Sequence, residues 1–155
     1  MILFKNKILK TSLGIDIILA AFAFTKPKEE AIKSIDYYAD DKNIGQWLNL
    51  VKQELAAKRI PVLFFTATWC GPCKQFKKSE SDPLMIDALN GVTFIMIDGD
   101  IDLKKDKISN KYGITGYPSF VRVDETGKLI KKTDGGAWDE NIPANMAPVM
   151  KEFMK

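Results

Sequence analysis

The chain contains no histidine at all. That absence excludes a Ser-His-Asp triad, a Cys-His nucleophile pair and every histidine-ligated metal site. Cysteine is nearly as scarce, because Cys70 and Cys73 are the whole inventory of two. Two ligands are too few for a four-coordinate structural zinc, so no metal is expected, and a monomer can close at most one disulfide. No nicotinamide or flavin motif is present, so the chain is expected to work without a cofactor. Charge of one sign is missing too. Lysine and arginine number 23 against 20 acidic residues, a formal net charge of +3. Setting aside residues 1–23, which hold Lys5, Lys7, Lys10 and Asp16, leaves 20 basic and 19 acidic residues. A balance so near neutrality gives no electrostatic footprint for nucleic acid. Internal repeats and low-complexity segments are also absent.

What is there is an ordinary globular composition: 155 residues, 46% hydrophobic and 28% charged. That suffices for one domain with a real core, and a second domain is not expected. Residues 1–23 have the order of an export signal, with a lysine-bearing start, an apolar stretch from Leu13 to Phe24 and Ala21-Phe22-Ala23 as a cleavage pattern. Asp16 interrupts the apolar stretch, which argues harder against a spanning helix of about 20 apolar residues than against a signal. An uncleaved membrane anchor and an ordinary helix are the other readings. Residues 24–43 read as a linker or extension, polar and proline-broken at Thr25 to Glu30. The folded domain is expected over 44–155.

Within it, residues 31–40 fit either a short helix or an edge strand, since Ile32 and Ile35 have helical spacing while Ile35 and Tyr37 suit a strand. The spacing of Trp47, Leu48, Val51 and Leu55 predicts an amphipathic helix over 44–59, capped by Asn43. Pro61 to Thr66 is an unbroken apolar run, the pattern of a strand covered on both faces. A helical polar stretch follows the cysteines. Ser81-Asp82-Pro83 opens a second apolar-periodic stretch, Leu84 to Leu89, and Val92 to Ile97 is another buried strand closed by Asp98-Gly99-Asp100. A lysine-rich helix is predicted over 102–112, with Leu103 and Ile108 as its apolar face and Gly113 as its stop. Pro118 to Val123 and Lys128 to Lys132 flank the turn Asp124 to Gly127 and form a hairpin. Ile142, Met146, Val149, Met150 and Phe153 predict a C-terminal helix over 139–154. This order gives a mixed sheet with helices on both faces.

The cysteines sit where a strand meets a helix, in Trp69-Cys70-Gly71-Pro72-Cys73. One sulfur can be exposed there while the other lies a turn inside. Free amides and the helix dipole favour a thiolate at Cys70, below the free-cysteine value of about 8.5. Cys70 would attack a substrate disulfide and Cys73 would resolve the mixed disulfide. Pro72 fits a first helical turn, where a missing amide hydrogen matters little. Gly71 lets a partner chain approach closely. A metal half-site and a structural disulfide remain as alternatives, although the latter would close a tiny loop and remove little chain entropy.

Phe64-Phe65-Thr66-Ala67-Thr68-Trp69-Cys70-Gly71-Pro72-Cys73-Lys74, followed by Tyr112-Gly113-Ile114-Thr115-Gly116-Tyr117-Pro118-Ser119-Phe120, resembles the thioredoxin family over roughly residues 44–155. The resemblance implies a thioredoxin fold, a mixed central β-sheet flanked by helices on both faces, and a thiol:disulfide oxidoreductase. It implies that Pro118 is cis, that the backbone of Tyr117 pairs with substrate chains and that Trp69 borders the reactive cysteine. The insertion from Ser79 to Leu84 is more similar to exported thiol:disulfide interchange proteins, which places the protein in the periplasm as an expectation. Gly-Pro between the cysteines resembles the reducing members of the family, so the expected activity is reduction of protein or small-molecule disulfides. A thiol electron donor would be needed, with a membrane thiol relay as the expected source. A thiol oxidase or isomerase, and a non-catalytic binding or chaperone module, are the alternatives. One departure stands out: Phe64 occupies the position of the family's buried aspartate. Asp98 ends a strand and reads as a solvated acid. A monomer is expected.

Overall fold

The computed structural model describes residues 30–40 and 44–155. The expectations for residues 1–23 and for Asn43 as a cap lie outside the described residues.

The fold is organised on strand β2 (Ile60–Thr66), whose side chains alternate between two faces. Val62 and Phe64 project to one side, Leu63 and Phe65 to the other, and none is more than 1% exposed. Strand β3 (Val92–Asp98) runs parallel beside it, placing Phe64 opposite Met96 and Thr66 opposite Asp98. Strand β1 (Lys33–Asp36) pairs in parallel with the outer side of β3, so the ambiguous 31–40 segment is an edge strand. Across β2, strand β4 (Ser119–Val123) is antiparallel and forms the predicted hairpin with β5 (Leu129–Asp134). The order of the sheet is β1-β3-β2-β4-β5.

Helices cover both faces. On the Phe64 side lie α2 (Gly71–Ser79), α3 (Pro83–Ala88) and α6 (Pro143–Met154), enclosing Phe76, Met85, Phe94, Phe120, Met146 and Phe153. On the Phe65 side, α1 (Trp47–Ala56) and α5 (Ile108–Lys111) enclose Val51, Ile95, Ile97, Ile108 and Val121. The mixed sheet with helices on both faces is therefore the architecture of the described residues. None of their helices is long and apolar enough to cross a membrane.

Three boundaries differ from the sequence reading. Helix α1 starts at Trp47, not at residue 44, because Gly45 takes the left-handed region at φ +78° and breaks the backbone just before the Gln46 cap. The single lysine-rich helix is two short pieces, α4 (Gly99–Asp102) and α5. The buried Asp102 carboxylate accepts the amides of Ile108 at 2.9 Å and Ser109 at 2.8 Å, so it caps a new helix instead of continuing the old one. Lys107 turns the chain between them at φ +53°, and Leu103, expected on the apolar face, is 50% exposed. The C-terminal helix begins at Pro143 rather than residue 139, with proline in its first turn, where its missing donor is harmless.

Candidate active site

Strand β2 delivers the chain to the cysteines at one end of the sheet. The Cys70 amide donates to the Ala67 carbonyl at 3.0 Å, folding the loop back so that Cys70 becomes the N-cap of α2. Its sulfur accepts the Cys73 amide at 3.2 Å. Cys70 and Cys73 are joined in a disulfide, with Cα atoms 5.3 Å apart. Both are buried, at 3% and 1% exposure, whereas the adjacent Trp69 is 66% exposed. Pro72 occupies the first turn of α2, and Gly71 has open space where a side chain would begin.

The second strand-end loop meets the first. The Tyr117–Pro118 peptide is cis. Because Ser119 pairs with Phe65 of β2, Pro118 is carried to the end of the strand that feeds the cysteine loop. The Gly135 amide donates to the Pro118 carbonyl at 2.9 Å, and a Cβ at Gly135 would approach the proline ring to 3.0 Å. Pro72, Gly116, Tyr117, Pro118, Gly136 and Asn141 line a groove of about 290 Å³ here.

Tyr117 lines this groove, and Trp69 packs against it with ring centroids 5.8 Å apart. The Trp69 indole N–H donates to Asp100 Oδ2 at 2.9 Å, which ties the ring to α4. The Tyr117 phenol lies directly on Gly99, and a Cβ there would overlap its ring and hydroxyl. Burial, with Asp100, Asp102 and Asp98 nearby, raises the phenol's pKa above its ordinary value, so it stays protonated near neutral pH. In the sequence, Gly99 and Asp100 mark only the closure of a strand. No local spacing connects them to Tyr117 and Trp69.

On the opposite side of the disulfide, Cys73 lines a cleft of about 470 Å³ together with Thr66, Lys74, Met96, Asp36 and Asp98. Asp98, read as a solvated strand-end acid, is half-buried; its Oδ1 accepts the amides of Asp100 and Ile101. Phe64 is fully buried below, stacked on Phe120 at 4.7 Å and edge-on to Phe76 and Phe94 at 5.5 Å. A larger cavity of about 590 Å³, lined by Ala31, Ile32, Lys77, Glu80, Ser81 and Ile86, lies toward the far end of α2 and contains no cysteine.

Residues 43–148 match the family model described as Thioredoxin. The chain belongs to the thioredoxin family. Relatives include thioredoxin H-type 2 of Nicotiana tabacum, 29% identical over 97 residues, which span 63% of this chain and 77% of that protein. Thioredoxin H1 of Arabidopsis thaliana is 31% identical over 97 residues, 63% of this chain and 80% of that protein. A solved disulphide isomerase from Xylella fastidiosa Temecula1 shares the fold, with a TM-score of 0.55 at 24% identity over 78% of this chain and 96% of that one. As a thioredoxin-family chain with its cysteine pair at disulfide distance, the protein is a thiol:disulfide oxidoreductase. Proteins of the thioredoxin family act on disulfide substrates and draw on thiol donors.

Proposed function

We propose that the protein works as a reductase of protein or small-molecule disulfides, with Cys70 as the attacking nucleophile and Cys73 as the resolving thiol. The observation that carries this reading is the position of Cys70 at the N-cap of α2, its sulfur already accepting an amide hydrogen bond. In the dithiol form the same amides and helix dipole favour negative charge on that sulfur, and thiolate is the reactive species.

The reduced Cys70 thiolate attacks a substrate disulfide, forming a mixed disulfide and releasing one substrate thiolate. Cys73 then attacks Cys70, closing the internal disulfide and releasing the second substrate sulfur. The groove beside Tyr117 and Pro118 holds the substrate chain, with the Tyr117 backbone as its pairing partner and Trp69 as an exposed wall. A Cβ at Gly71 would meet no atom within 4 Å, so the backbone next to Cys70 faces open space. A thiol donor restores the dithiol. The order of the N-terminal 23 residues supports export to the periplasm, and there a membrane thiol relay is the fitting donor. The working unit is a monomer.

Two variants test the assignment of roles. Cys70→Ser abolishes turnover of a protein disulfide in the presence of dithiothreitol, whereas Cys73→Ser accumulates covalent adducts that survive a non-reducing gel and dissolve on reduction. Turnover retained by Cys70→Ser, or adducts formed through Cys73 in that variant, would overturn the roles.

A further inference from the structure

Resolution requires the Cys73 thiol to lose a proton, yet Cys73 is only 1% exposed and packs in an aromatic cluster with Phe64 and Phe76. An apolar surrounding disfavours the thiolate. The nearest strand position that could supply a base, Phe64, carries a hydrocarbon, and its partner across the register is Met96. The proton needs another way out.

We propose that Asp98 is the proton acceptor for Cys73 in the resolving step, reached through the solvent cleft that both residues line. The inference rests on the reductase reading above. Strand alternation places it: Phe94 and Met96 lie on the α2 side of the sheet, and Asp98 is the next residue of β3 on that same face. Its register partner is Thr66, the last residue of β2 before the cysteine loop. Asp98 Oδ1 accepts two α4 amides, which fixes the carboxylate at the edge of the cleft it lines.

The other charged groups around the cleft are Lys74, Lys77 and Lys78 from α2 and Asp36 from β1. Protonated ammonium groups are donors and cannot accept the proton. Lys77 is further engaged with Ser34 and Glu80, each at 2.8 Å. Asp36 lies on the edge strand in the row of Met96 and Phe64, one row further from the cysteine loop than Asp98. A volume of about 470 Å³ has ample room for bridging water, which takes about 30 Å³ per molecule in the liquid.

The step balances without an added oxidant. The Cys73 S–H proton passes to a cleft water, and that water passes one on to Asp98. The Cys73 sulfur bonds to Cys70 as the bond between Cys70 and the substrate sulfur breaks, and the departing substrate thiolate takes a proton back. The substrate gains the two electrons that the dithiol loses.

The test uses the reduced full chain mixed with a bis(nitrobenzoate) disulfide, whose released thiolate is coloured. The first release reports attack by Cys70 and the second reports resolution by Cys73. Asparagine at 98 keeps an oxygen for the α4 amides but removes the base. Asp98→Asn is expected to slow the second release by about 10- to 100-fold near neutral pH, a deficit that closes as rising pH ionises Cys73 unaided. Asp98→Glu is expected to recover part of the rate. An unchanged second release, a deficit equal at every pH, or slowing by Asp36→Asn in place of Asp98→Asn would overturn the proposal. A missing first release in the parent chain would instead overturn the reductase reading beneath it.

Discussion

Phe64 shows how a single side chain redistributes the chemistry of a site. The family resemblance places an aspartate there, but in this chain the position is enclosed by Phe76, Phe94 and Phe120 with no exposed surface. Returning a carboxylate to it removes a large apolar side chain from a packed cluster and buries a charge without a partner. Phe64→Asp is expected to destabilise the fold by about 4 kcal/mol or more, measured by chemical denaturation of the oxidised protein. Stability close to the parent would mean that the cluster yields and admits water. The cysteines, Trp69 and Pro118 could be picked out from sequence because each belongs to a short contiguous motif. Gly99, Asp100 and Asp98 could not, because their relation to Tyr117, Trp69 and Cys73 exists only once β3 lies beside β2 in one register. A sequence pattern carries no signal for a phenol resting on a glycine from a different loop.

At the scale of elements, the buried strands are legible because a doubly covered strand carries an apolar run, and β2 and β3 do over Pro61 to Phe65 and Phe94 to Ile97. The split of the lysine-rich helix was not, because its cause is a tertiary one: Asp102 is buried, receives the Tyr38 hydroxyl at 2.9 Å and turns its carboxylate to the amides of α5. The β4–β5 turn is likewise locked from outside. Asp124 Oδ1 accepts the amides of Thr126 at 2.8 Å and Lys128 at 3.0 Å, and the Tyr112 hydroxyl donates to the Gly127 carbonyl at 2.8 Å. Gly127 sits at φ +80°, where a Cβ would also stand 3.0 Å from the Trp47 ring. Gly127→Ala is therefore expected to lower stability by about 1 to 2 kcal/mol, read as a shifted denaturation midpoint with an unchanged slope. A neutral or stabilising result would contradict the docking of this turn on α1.

Across the whole molecule, the end of the sheet remote from the cysteines is tied by charge. Glu54 of α1, 6% exposed, accepts Lys33 of β1 at 2.5 Å and the Thr93 hydroxyl of β3 at 2.7 Å, with Arg59 at 3.6 Å. Burial alone would push its carboxyl up, but these hydrogen bonds and the charges of Lys33 and Arg59 outweigh it and hold the carboxyl below its ordinary value of 4.5. A depressed folded value means that its contribution is complete above the unfolded value and is lost as pH falls through the folded one. Glu54→Gln is expected to reduce stability by about 1 to 3 kcal/mol near neutral pH and by less in acid, as seen in denaturation curves across that range. A deficit independent of pH would show that packing, not charge, is what the variant removes. Near the cysteines two openings lie instead, one lined by Cys73 and the other by Pro72, as exchange with an external sulfur requires.

Whether that disulfide serves reduction is read most directly from the equilibrium reduction potential of the Cys70–Cys73 pair, titrated against dithiothreitol or glutathione. A reductase is expected to show a value near that of thioredoxin, about −270 mV, at which the dithiol favours reducing disulfides of higher potential. A value near about −120 mV, where the strong oxidants lie, would contradict it and assign the protein to disulfide formation.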